Sequence, residues 1–176
     1  MATSCIPTPT APRTHGGDLV STPQPRSGPQ RKADSLDLLR RDAIDVWVAT
    51  ASVEDATPWP HLVPVSLAWL DDDRAAIAIQ ARSRTARDLR AQPAARLAVG
   101  PTRDVVMIEA VAEEEHDVAE APDDLVRQYL RQADWDPRAA SGYVFFVLRP
   151  RRIQAWREAD EIPGRALMRD GRWLVD

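Results

Sequence analysis

The stretch that decides the fold is Ile77-Ala78-Ile79-Gln80-Ala81-Arg82-Ser83-Arg84-Thr85-Ala86-Arg87-Asp88-Leu89. It begins as a short apolar, strand-like run that ends at Gln80, and a short helix starts within Ser83–Thr85. Between the two stand two cations, Arg82 and Arg84, and two hydroxyls, Ser83 and Thr85. The first turn of a helix carries free backbone N–H groups and the positive end of the dipole, so an anion such as a phosphate can settle there. On local sequence alone, a solvated basic turn is the alternative. No Gly-rich phosphate loop follows a strand, and no parallel βαβ series appears, which excludes a Rossmann arrangement.

Upstream, Asp45–Ala51 is β-branched and aromatic and reads as a strand. A turn-like segment, Glu54–Pro58, leads into a second strand, Pro60–Trp69. There His61, Val63, Val65 and Leu67 share one face, and Leu62, Pro64, Ser66 and Ala68 the other. Pro64 cannot donate to a ladder, so this strand needs an edge, a bulge or an unpaired position at that point. Asp71-Asp72-Asp73 is a polar turn before the third strand, Arg74–Gln80. Downstream, Pro93 stops the helix, and Arg96–Gly100 and Val105–Ala112 give a fourth and a fifth strand. Glu113-Glu114-Glu115 opens an acidic segment, and Pro122–Gln132 is helical with Leu125, Val126, Tyr129 and Leu130 on its apolar side. Gly142–Leu148 and Arg151–Arg157 are a sixth and a seventh strand, and Arg165–Val175 is a hairpin turning at Asp170-Gly171. Near the start, Asp34 or Ser35 caps a helix bearing Leu36, Leu39 and Ala43. Many short strands with a few small helices and no internal repeat predict a mainly β (α+β) antiparallel barrel with flanking helices.

The domain is expected over residues 33–176. Residues 1–32 hold six of the fifteen prolines among Thr, Ser, Gly and Gln and are expected to be a disordered tail. A chain of 176 residues suffices for one sizeable core. A net charge of −4 argues against a general nucleic-acid binder. Cys5 is the only cysteine, and three scattered histidines do not suggest a zinc cluster. No apolar run approaches the roughly 20 residues of a membrane helix, and no signal pattern opens the chain, so a cytoplasmic protein with no membrane partner is expected. Lys32 is the only lysine against 22 arginines and falls in the expected tail. Schiff-base chemistry within the fold is thereby excluded, and a bound anion must rely on arginine, hydroxyls or backbone N–H groups.

Four stretches together resemble the pyridoxamine 5′-phosphate oxidase-like superfamily of flavin- and deazaflavin-binding split β-barrels. They are Trp47-Val48-Ala49-Thr50 with Pro60-His61-Leu62-Val63-Pro64-Val65-Ser66; Ser83-Arg84-Thr85 through Leu89 and Pro93 to Arg96-Leu97-Ala98; Asp104–Ala110; and Arg149-Pro150, Ile153-Gln154-Ala155-Trp156, then Arg165 to Gly171 and Trp173. The resemblance implies a split barrel and a homodimer with two cofactor sites at its interface. It places the cofactor phosphate at Gln80, Arg82, Ser83, Arg84 and Thr85, and the ring beside His61, Val63, Pro64, Val65 and Ser66. Trp156 and Arg165 match a pair that reaches the cofactor held mainly by the second subunit.

This chain departs from that pattern at defined places. Thr85 stands where the family often has lysine, and Arg82 or Arg87 would have to compensate. His61 and Ser66 stand where oxidases of the vitamin carry an arginine and a lysine, and Glu161-Ile162-Pro163-Gly164 replaces a stretch with an arginine and a histidine. Oxidation of pyridoxamine 5′-phosphate itself is therefore not expected. The resemblance implies an FMN-binding oxidoreductase acting on another small molecule. The alternatives are a reductase using the deazaflavin coenzyme F-420 and a non-catalytic protein that binds or senses flavin or haem. His61 is a candidate for hydrogen bonding the ring or shuttling a proton, and equally for a structural hydrogen bond. Trp47, Trp69 and Trp173 are expected to fill the barrel or the dimer seam.

Overall fold

The computed structural model describes residues 24–54 and 57–176. In chain order the elements are α1 (Gly28–Leu39), β1 (Asp45–Glu54), β2 (Thr57–Trp69), β3 (Ala75–Gln80), α2 (Arg84–Ala91), β4 (Ala94–Val99), β5 (Asp104–Asp117), α3 (Asp123–Gln132), β6 (Tyr143–Arg157), β7 (Ala166–Arg169) and β8 (Arg172–Trp173). The strands pair antiparallel in the order β3-β2-β1-β4-β5-β6-β7-β8, and β6 also pairs with β3. That last pairing closes six strands into a barrel, as expected from the sequence.

Alternation fills the barrel. Val46, Val48, Leu67, Ile77, Leu97 and Ile108 all point inward and are sealed from solvent. One device keeps the long strand β6 in phase. Leu148 and Ile153 are an odd number of residues apart, so a regular strand would aim them at opposite faces. The pairing skips Arg151, with Ala110 opposite Pro150 and Glu109 opposite Arg152, and both side chains reach the interior. The sixth and seventh strands expected from the sequence are therefore one bulged strand.

β2 is long enough to reach past its neighbour. Only Leu67, Ala68 and Trp69 pair with β3, whereas all of Thr57–Ser66 pairs with β1 alone. Pro64 sits in this single-partnered part, which is the edge its missing N–H requires. The barrel is split along this edge. The first half of β6 pairs with β3, and the second half, from Arg152, pairs with β7 instead.

A second apolar layer covers the outside of β2, β3 and β6. There α3 lays Leu125, Val126 and Tyr129 on Ala68, Ala76, Phe145 and Val147. Tyr129 meets Phe145 edge to face with ring centroids 5.0 Å apart. Burial pushes its phenol up to about 12.

The structure moves the start of the folded region. Ser27 caps α1 by accepting the Gln30 N–H, and Pro29 lies in the first turn, where a missing N–H costs nothing. Residues 24–32, expected in the tail, thus belong to the fold, and Lys32 donates from Nζ to the Val175 carbonyl at 3.0 Å. The remainder of the expected tail, residues 1–23, lies outside the described residues. Among the described residues no helix is long and apolar enough to cross a membrane.

Candidate functional site

The site grows from the end of β3. Ser83 is the N-cap of α2, its Oγ accepting the Ala86 N–H at 3.1 Å. The turn before it is tied down by the helix itself. Arg90 donates to the Ala81 carbonyl at 2.6 Å, and Arg87 to the Arg82 carbonyl at 2.8 Å. These bonds hold the turn so that the N–H groups of Arg84 and Thr85 remain unpaired within the helix, with the dipole behind them.

The wall beside this turn is the β1–β2 hairpin. Thr50 on β1 lies opposite His61 on β2, and its Oγ1 donates to Asp88 Oδ2 at 2.8 Å. Asp88 is 3% exposed, so its charge is held inside the protein. One turn earlier on α2, Arg84 places Nε 3.8 Å from the same carboxylate oxygen and Nη2 3.4 Å from the Trp59 carbonyl. Its Nε is buried and has no hydrogen-bond partner among the described residues. Among the described residues Arg84 is thus held only by long contacts, beside the split.

The sequence-predicted residues do not all converge. Arg82, Ser83 and Arg84 cluster at the turn, with Gln80 exposed at the end of β3. Thr85 is buried, so it cannot reach outward as a lysine would, and Arg87 is engaged with the turn carbonyl. Arg82 and Arg84 are the cations of this turn whose side chains, among the described residues, are not tied to its carbonyls. His61, Val63 and Val65 share the inner face with Thr50 and Val48, while Pro64 and Ser66 lie on the outer face. Ser66 donates to Asp45 Oδ1 at 3.2 Å.

Trp156 and Arg165 lie elsewhere. The Arg165 guanidinium sits over the Trp156 ring, 5.9 Å from its centroid, where β6 runs beside the start of β5. Gln80 is opposite Tyr143 at the other end of β6, and roughly 40 Å of extended strand separates Tyr143 from Trp156. Thr50 and Asp88 were not picked out from sequence. The i,i+4 spacing of Arg84 and Asp88 was a legible signal, but the Thr50 contact depends on the fold.

Trp47 is 50% exposed and Leu62 59%, both on the outer face of the hairpin. Neither fills the barrel. The register places Pro64, Trp47, Ala98 and Met107 in one row across β2, β1, β4 and β5. Leu62 and Ala49 lie beside them in the next row, which continues across β4 and β5 as the Arg96–Glu109 ion pair, so the apolar surface around Trp47 and Leu62 is bordered by charge.

The pyridoxamine 5′-phosphate oxidase family model matches residues 37–157. No curated protein matches the chain. Among solved structures, one named F420 reductase matches with a TM-score of 0.51 and 20% identity over 66% of this chain and 93% of its own. A heme binding protein from Mycobacterium smegmatis gives a TM-score of 0.56 and 18% identity over 83% of this chain and 59% of its own. The General Stress Protein 26 from Bacillus anthracis gives 0.52 and 17% over 72% and 95%. At these identities the likeness is one of fold.

Proposed function

Because the chain belongs to the pyridoxamine 5′-phosphate oxidase family, we propose that it is a homodimeric oxidoreductase that holds FMN and acts on a small molecule other than pyridoxamine 5′-phosphate. The observation that carries this reading is Arg84 at the capped start of α2, half-buried beside the split edge of β2 and, among the described residues, held only by contacts of 3.4 and 3.8 Å. The donors there suit a phosphate: the Ser83 hydroxyl proton, the N–H groups of Arg84 and Thr85, and the guanidinium groups of Arg84 and Arg82. When bound, FMN would supply the hydride or electron transfer. The chain's own part is to neutralise the phosphate and to shield the ring with the His61, Val63 and Val65 wall. Asp88, fixed by Thr50, sets the direction of Arg84.

The separation of Trp156 and Arg165 from α2 supports a dimer in which each site draws on both copies. The exposed apolar surface around Trp47 and Leu62 supports the same reading. A second reading, F-420 with two-electron hydride transfer, is favoured by the Pro60-His61-Leu62-Val63-Pro64-Val65 run and by the fold likeness to a protein named F420 reductase.

The absorbance spectrum and mass of what co-purifies distinguish these readings. A flavin spectrum supports FMN, and tight binding of F-420 alone supports the second. Co-purifying haem without turnover on NAD(P)H or reduced F-420 supports a binding or sensing role. Arg84→Ala should remove a charge-assisted contact worth about 1.5–3 kcal/mol and weaken cofactor binding at least about tenfold. Wild-type affinity in that variant would show that the phosphate site lies elsewhere.

A further inference from the structure

The loop that precedes Arg165 is held by the other end of the chain. Glu161 closes a 3-10 turn, Ala159–Glu161, and is 1% exposed. Its carboxylate accepts four N–H groups: from Arg26 N at 2.8 Å, Nε at 3.0 Å and Nη2 at 2.9 Å, and from Arg157 N at 2.6 Å. Arg26 is itself fixed by Asp34 at 3.0 Å and Asp104 at 2.8 Å. Arg31, buried on α1, donates to the Glu161 carbonyl at 3.1 Å and to the Gly164 carbonyl at 2.8 Å. Both ends of Glu161–Gly164 are therefore gripped by arginines from the first helix and the segment before it.

Arg165 is the next residue. Its carbonyl accepts the Ala155 N–H at 3.0 Å, and its guanidinium lies over Trp156. Apart from a donation to the Ile162 carbonyl at 3.3 Å, that guanidinium has no described hydrogen bond. A buried carboxylate with four donors is a strong and directional anchor. Here it fixes the segment that leads directly into Arg165.

We infer that Arg26, Arg31 and Glu161 are positioning residues, which present Arg165 and Trp156 as one rigid unit to the cofactor held at α2 of a second copy. The inference rests on the cofactor reading of the preceding section. It adds that the segment before α1 sets cofactor affinity through Arg165.

The test titrates FMN and F-420 against the full chain by cofactor fluorescence, with thermal midpoints measured alongside. Glu161→Gln and Arg31→Met should each weaken binding of the cofactor that the wild type takes, by at least about threefold. In an Arg165→Ala background neither change should weaken it further, a non-additivity that general loosening of the fold would not produce. If Glu161→Gln does not fold, Arg31→Met decides alone, because it leaves the Arg26 grip on the carboxylate in place. Unchanged affinity in Arg31→Met, or an equal loss with and without Arg165, overturns the inference. If Arg84→Ala weakens binding while these variants do not, the functional reading stands and only this inference falls. A wild type that binds neither cofactor removes both.

Discussion

Replacing Thr50 by valine keeps the shape of the side chain and deletes one donor, the Oγ1–H that reaches Asp88 Oδ2 at 2.8 Å. Asp88 is buried, and its only other described side-chain partner is Arg84 at 3.8 Å, too long for a hydrogen bond. The charge cannot be rehydrated in place, so the loss is that of a hydrogen bond to a buried ion, about 1.5–3 kcal/mol. With a urea dependence of about 2 kcal/mol per molar, the unfolding midpoint should fall by about 0.7–1.5 M at unchanged slope. Thr50→Ser should recover most of it, because the hydroxyl is retained. A valine variant with a midpoint within about 0.2 M of the wild type would refute the reasoning, since it would mean that water or Arg84 already satisfies Asp88. Loosening Asp88 should also let Arg84 close on it, so weaker cofactor binding should accompany the stability loss.

Two further outcomes are expected. The Arg26 hydrogen bonds, aided by the Arg157 N–H and opposed by burial, hold the Glu161 carboxyl at about 2 rather than its usual 4.5. The ionised form is thus favoured by folding, so this contribution of about 3 kcal/mol is complete above pH about 4.5 and disappears as pH falls toward about 2. Urea unfolding across that window should show a shallower acid loss in Glu161→Gln than in the wild type, and parallel curves would contradict the assignment. For the apolar outer face, Trp47→Glu or Leu62→Glu places a carboxylate where a second copy is proposed to pack. Light scattering should show the dimer dissociation constant rising at least about a hundredfold, as expected for an unpaired charge costing about 3 kcal/mol or more. A monomeric wild type would remove the proposal that Trp156 and Arg165 act across an interface.

The barrel was legible because its strands carry the right period and its turns the right residues. Asp170 and Gly171, for example, both adopt positive φ at the last hairpin, as the sequence pair suggested. The helix after β3 was legible for the same reason. The structure differed where a local signal had two meanings. Pro29 belongs equally to a disordered segment and to a helical first turn, and only the Ser27 cap and the contacts made by Arg26 and Arg31 decide between them. Gly142–Leu148 and Arg151–Arg157 read as two strands, whereas one skipped residue in the ladder lets β6 continue through Pro150. Trp47 read as core or seam because sequence does not tell the two faces of a strand apart. The capped helix start at Ser83–Arg84 was visible, but Asp88 and Thr50 behind it were not singled out. Glu161 meets Arg26 across 135 residues of sequence, a distance at which no local pattern speaks.

The split edge of β2 has a consequence for how copies of this chain behave when crowded. The Leu67 N–H points toward β1, donating to the Ile44 carbonyl at 2.9 Å. By alternation the backbone groups of even-numbered residues face the open side. Pro58, Pro60 and Pro64 are all even-numbered and all lack the donor that a docking strand would seek. The edge therefore offers acceptors with few donors, a poor template for strand addition and for the cross-β stacking that leads to aggregates. The barrel can remain open along this edge without inviting other strands to close it.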